Sequence, residues 1–173
     1  DYRANIEAMS NGKTFGQDFS FYVRKATRTD STLAPAGHSA LYVLVPVANL
    51  RGAIDWTTEQ QTLREATLDA LGTRLGMTDI RQHIQEELVI TPREWEHTYN
   101  VYEGATFNLA HNWGQLIYFR PRNKFEELDH CYLVGGATHP GSGLPTIYES
   151  GRIAANLISS AHAIPFISGN LHV

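Results

Sequence analysis

The sequence predicts a mixed α/β class with α+β character, and three features carry that expectation. Two apolar and aromatic extended stretches lie in the first third of the chain, a long amphipathic helix follows them, and a last strand runs through a glycine-rich loop into a final helix. At 173 residues, with 42% hydrophobic and 18% charged residues, the composition is that of a globular chain. The length suits one domain or part of a larger one, and no internal repeat or low-complexity linker divides it.

Element by element, "FSFYVRKA" (19–26) alternates loosely and is rich in strand formers. After a polar turn, "SALYVLVPV" (39–47) is an almost unbroken apolar run, the pattern of a strand covered on both faces, with Pro46 marking its end or an edge. In "DWTTEQQTLREATLDALGTRLGM", Leu63, Thr67, Ala70, Leu71 and Leu75 recur at helical spacing. Thr57 or Thr58 with Gln60 or Gln61 offers a capping box, and Gly72 and Gly76 offer the stop. "IQEELVITP" (84–92) reads as a strand weakened by Glu86 and Glu87, and Pro92 then opens a short helix. The stretch from 105 reads as a loop with a short extended piece at 116–120. "HCYLV" (130–134) is the final strand, and the final helix presents Ile147, Gly151, Ala154, Ala155 and Ile158 on one face. The opening residues show no recognisable helix or strand start.

Composition also bounds function. A net charge of −4 gives no electrostatic reason for nucleic-acid binding, which needs clustered Lys and Arg. The single cysteine, Cys131, sits in an apolar strand and reads as a core residue in a reducing compartment rather than a nucleophile. No apolar stretch approaches the roughly 20 residues of a membrane span, so any membrane contact is expected to be peripheral. The eight histidines form no HxH or HxxxH pair, which argues against zinc. "GHSAL" (37–41) does not fit G-x-S-x-G, which argues against a hydrolase elbow.

The chemistry-bearing stretch is "GGATHPGSGLP" (135–145), four glycines and two prolines directly after a strand. A strand, loop and helix in this order present unpaired helix N–H groups and a partial positive charge to an anion or an electron-rich ring. "GSGLPT" (141–146) nearly matches a dinucleotide fingerprint but fails it, because Gly141 lies too far from the strand end and no second strand with an acidic end follows. On spacing alone, a tight connection and a ligand contact both remain open. His139 within the loop has two readings, cofactor contact or main-chain brace, of which the brace is preferred; Glu149 and Arg152 read as solvated surface. Phe107, Trp113, Tyr118 and Phe119 could line an apolar tunnel or pack as core, and Trp56 and Trp95 read as packing residues.

The stretch "YLVGGATHPGSGLPTIYESGRIAANLI" resembles the C-terminal flavin-binding signature of the carotenoid (phytoene) desaturase family, within the amine-oxidase-like flavoproteins. "DSTLAPAGHSALYVLVPVANL" (30–50) and "YFRPRN" (118–123) resemble the same family in the same order, so the likeness runs from about residue 19 to about 160. The resemblance implies the C-terminal fragment of a two-domain, FAD-binding Rossmann-type oxidoreductase. Residues 1–125 would be part of the substrate-binding domain, and 126–173 the closing strand, loop and helix of the FAD-binding domain. Gly135, Gly136, Thr138, Gly143, Leu144 and Pro145 would be the cofactor-binding residues. No catalytic side chain is implied.

The implied reaction removes two hydrogens from a saturated carbon pair of a lipophilic polyene, with FAD as acceptor, at a cytoplasmic membrane surface. The family's amino-terminal G-x-G-x-x-G is not in this sequence, so these residues alone should bind FAD weakly or not at all. Two alternatives stay beside the desaturase: a carotenoid isomerase or retinol saturase relative, and a non-catalytic binding module with a vestigial flavin loop.

Overall fold

The computed structural model describes residues 2–13 and 18–165, and these divide into two compact units between Ala105 and Thr106. In the first unit the chain opens with helix α1 (Tyr2–Ser10), for which the sequence offered no start signal. Its Asn5 is buried and donates to the Ser20 hydroxyl at 3.4 Å. Strands β1 (Tyr22–Lys25) and β2 (Leu41–Leu44) pair antiparallel, with Tyr22 opposite Leu44 and Lys25 opposite Leu41.

The expectation that β2 is covered on both faces is corrected, for Leu41 and Tyr42 are 38% and 54% exposed. Among the described residues β1 is its sole sheet neighbour. An apolar run states what a strand needs, and a two-stranded hairpin supplies too little surface to meet it.

Helix α2 (Trp56–Leu75) is the mainstay of the first unit. Its start is fixed by Asp55 rather than by Thr57 or Thr58, the Asp55 carboxylate accepting from the Thr57 amide at 3.0 Å and the Thr57 hydroxyl at 2.6 Å. These bonds hold the Asp55 carboxyl below the usual aspartate range. Gly76 ends the helix in the left-handed conformation, whereas Gly72 lies inside it. Its buried residues are Trp56, Leu68, Ala70 and Leu71, while Leu75, expected on the buried face, is 49% exposed. Phe19, just before β1, is almost fully buried; the Arg74 guanidinium lies over its ring and donates to its carbonyl at 2.7 Å.

The strand expected at 84–92 is absent: after the short helix α3 (Ile80–His83), residues 84–91 run without regular structure. Glu87 is drawn instead to α2, where the Arg64 guanidinium grips its carboxylate through two bonds of 2.9 and 2.6 Å. Helix α4 (Pro92–Tyr99) begins at Pro92 as expected, closed by a reciprocal Thr91 and Glu94 capping box.

In the second unit, the extended piece expected at 116–120 is a 3₁₀ turn over Ile117–Phe119. The strand expected at 130–134 shrinks to one antiparallel bridge between Lys124 and Tyr132. Its flanking bonds, Phe125 amide to Cys131 carbonyl at 3.0 Å and Leu133 amide to Asn123 carbonyl at 2.9 Å, are the pairing the segment has. A parallel Rossmann sheet is not formed among the described residues. Helix α5 (Leu144–Ala161) closes the unit, with Ser150 and Ala154 buried. Ala155 and Ile158, expected on its packed face, are exposed. The observed architecture is therefore helix-rich with one small sheet.

Candidate functional site: the glycine loop and the start of α5

Residues 135–143 turn the chain from the bridge at Tyr132 into α5, and the turn is built on backbone that side chains disfavour. Gly141 has φ 147° and Gly143 φ 104° with ψ 140°, a region that L-residues rarely enter. The peptide between His139 and Pro140 is cis.

The loop is fastened from below by buried polar groups rather than by apolar packing. Ser150, fully buried on α5, accepts from the Gly135 amide at 2.9 Å and donates to the Ile147 carbonyl at 2.6 Å. The Thr138 hydroxyl donates to the Gly135 carbonyl at 3.0 Å. The Asn123 side-chain amide reaches the Leu133 carbonyl at 3.1 Å and the Thr138 hydroxyl at 3.3 Å. His139 is a brace: its amide donates to the Pro121 carbonyl at 2.9 Å and its Nδ1 meets the Ile117 carbonyl at 2.9 Å.

Arg120, 2% exposed, lies behind the loop. Its Nη1 donates to the Gly136 carbonyl at 2.9 Å and its Nη2 to the Leu109 carbonyl at 3.2 Å, while Nε is buried without a partner. His111 Nε2 accepts from the Ser142 hydroxyl at 2.7 Å and faces Arg120 Nη2 at 3.4 Å, an arrangement that puts the ring proton on Nδ1.

At the upper edge, α5 starts at Leu144 with no side-chain cap from Gly143 and no acidic residue in its first turn. Thr146, whose hydroxyl could have served the amides, points it to the Ser142 and Gly143 carbonyls instead. The first amides of an 18-residue helix are thus left to an outside acceptor, at the end where the helix dipole is positive.

Of the residues implied by resemblance, Gly135, Gly136 and Thr138 belong to the fastened floor, with the Thr138 side chain buried and committed inward. Gly143, Leu144 and Pro145 form the exposed rim, Leu144 being 70% exposed. The exposed Leu144 amide, the lack of an acidic residue in the first turn and a buried guanidinium behind the loop fit an electron-rich, anionic-leaning ring such as a flavin, with Pro145 adding no N–H.

A cleft of about 660 Å³ lies beside this site, lined by Arg122, Phe125, Leu128, His139, Ile153 and Leu157 among others. It shares His139 with the loop but none of the glycines. Sequence reading missed the roles of Arg120, Asn123, His111 and Ser150. For Arg120 and Asn123 the signal was at hand, since both fall in the "YFRPRN" stretch.

No protein-family model matches the chain. Among curated proteins, it is 57% identical over 166 residues to a 4,4'-diapophytoene desaturase (4,4'-diapolycopene-forming) of Methylomonas sp, covering 96% of this chain and 32% of that protein. It is 43% identical to an all-trans-zeta-carotene desaturase of Myxococcus xanthus, over 91% of this chain and 30% of that protein. It is 36% identical to a phytoene desaturase (neurosporene-forming) of Rhodobacter capsulatus, over 92% of this chain and 31% of that protein. The chain thus spans about a third of the length of the curated relatives it matches. The chain is similar to carotenoid desaturases along nearly its whole length.

Proposed function

We propose that this chain is the C-terminal portion of an FAD-dependent carotenoid desaturase acting on a polyene of the phytoene or diapophytoene type. The observation that carries the reading is the uncapped start of α5 behind the glycine loop, in a chain similar to carotenoid desaturases. In the parent protein, 126–173 would close a Rossmann-type FAD-binding domain and 1–125 would belong to the substrate-binding domain.

Gly135 and Gly136 would lie against the cofactor, and Gly143, Leu144 and Pro145 would present main chain to the isoalloxazine ring. When bound, the flavin supplies the acceptor for a hydride equivalent. The chain's own part would be electrostatic and positional: the α5 start would stabilise negative charge on the reduced ring, and the Ser150, Thr138 and Asn123 bonds hold the loop in place. In the net reaction a carbon–carbon double bond would form between adjacent saturated carbons of the polyene, with the hydride passing to the flavin and the proton released to water.

Exposed aromatic side chains support a lipophilic partner. Trp113 is 91% exposed and Tyr118 76%, with Phe107, Ile117 and Phe119 also outward. We assign these residues to contact with the polyene or the membrane surface that holds it. Among the described residues no helix is long and apolar enough to cross a membrane, which is in keeping with a peripheral, cytoplasmic-side enzyme.

The test is to purify the full-length parent, load it anaerobically with phytoene in liposomes, and follow the flavin absorbance and the pigment formed. Bleaching of the flavin with a more conjugated product is the expected result. An isomerised polyene without net desaturation would move the assignment to an isomerase, a reduced polyene to a retinol saturase relative, and a protein without flavin to a binding module.

A further inference from the structure

We infer that Arg120 is a positioning residue whose unneutralised charge, set behind the glycine loop, adds to the positive end of α5 and favours the reduced, anionic form of a bound flavin. The inference rests on the flavin reading above and goes beyond it by naming a side chain that tunes the cofactor.

The first observation is burial without a counterion. Arg120 is 2% exposed, and none of the ion pairs among the described residues includes it. A buried guanidinium is ordinarily paired with a carboxylate, because taking the charge out of water is costly. Here carbonyl oxygens of Gly136 and Leu109 take two of its nitrogens, which supplies hydrogen bonds but no neutralising charge.

The second is the direction of the unpartnered atom. Arg120 Nε has no acceptor and lies 3.4 Å from where a side chain's first carbon would stand on Gly141, three residues before the start of α5. Glycine at 141 lets the guanidinium press against the loop backbone. Its other arm holds Gly136, whose own first-carbon position is 3.5 Å from the Ser142 Cα and 3.6 Å from Ile147 Cδ1 of α5. The charge therefore sits under Gly136 and Gly141, in the loop that leads into the rim.

Two independent sources of positive potential, a helix N-terminus and an uncompensated cation, converge on one loop from different segments. In a dry site both act on the charge that reduction brings to a flavin. His111, beside the Arg120 guanidinium, does not offset the charge, because an imidazole is never anionic.

The experiment is the flavin midpoint potential of the full-length, flavin-loaded parent compared with Arg120→Gln and Arg120→Lys. Arg120→Gln should lower the preference for reduced over oxidised flavin about tenfold, which is about 30 mV for a two-electron couple. Arg120→Lys should hold it within about threefold, since the charge remains. Sulfite affinity of the bound flavin should follow the same order.

An unchanged potential in Arg120→Gln overturns the inference and leaves Arg120 a brace. So does a fall in Arg120→Lys as deep as that in Arg120→Gln, because guanidinium shape would then be what matters. If Arg120→Gln fails to retain flavin, Arg120→Lys decides by the same criterion; loss of flavin from both also overturns the inference, in favour of bracing alone. A wild-type parent without flavin would sink the proposed function itself, a separate result.

Discussion

The two units bury different chemistry. In the first, the buried side chains are mainly Phe19, Ala48, Trp56, Leu68, Ala70 and Leu71, the last four on α2. In the second, among the described residues, the buried side chains are those of Arg120, Asn123, Thr138 and Ser150, with Ala154 as the buried hydrophobe. Apolar burial is non-directional and forgiving of small shifts. Hydrogen-bonded burial fixes angles, and a lost partner costs the desolvation of the group left behind. The first unit is thus built for cohesion and the second for placement of a loop.

The contrast can be broken from either side. Leu71→Ala should cost about 2–5 kcal/mol by leaving a cavity under α2, read as a lower denaturant midpoint, while backbone amide shifts of 135–147 stay put. Ser150→Ala removes a hydroxyl smaller than that cavity, yet should cost about 1–3 kcal/mol because the Gly135 amide loses its acceptor. Its signature is faster hydrogen exchange at Gly135. An exchange rate equal to wild type would show that the loop does not depend on its polar floor.

The smallest effect concerns α4. The Thr91 hydroxyl, with its amide, holds the Glu94 carboxyl below the usual glutamate range. A depressed folded value means the stabilisation is complete above the unfolded value, about 4.3, and disappears as pH falls through the lower folded one. Carbon chemical shifts of 92–99 should therefore report fraying of α4 only below about pH 4.3. Glu94→Gln should flatten the titration.

Much of the local structure was legible because it rests on neighbours in sequence. Thr91, Pro92 and Glu94 define the start of α4 within four positions, and Gly76 ends α2 where periodicity stops. The failures share a cause. Residues 84–92 and 130–134 have strand composition, but a strand exists only with a partner, and composition cannot say whether one is present. Glu87 answers to Arg64 and the 130–134 segment meets only a short piece at 123–125.

The site divides in the same way. The glycines of 135–143 announce unusual backbone directly, whereas the floor joins Leu109, Arg120, Asn123, Thr138 and Ser150 across 41 positions, from 109 to 150. No spacing rule connects them. Only the folded chain shows that the "FRPRN" stretch and the glycine loop are one object.

The central claim is that the main chain of the loop meets the flavin, and Gly143 tests it most directly. At φ 104° a side chain is strained, and its first carbon would lie 3.5 Å from the Thr146 hydroxyl. The measurement is flavin retained per protein after gel filtration of the full-length parent, wild type against Gly143→Val. The account predicts a wild type that keeps its flavin and a folded Gly143→Val that loses most of it. A Gly143→Val protein with undiminished flavin would contradict it.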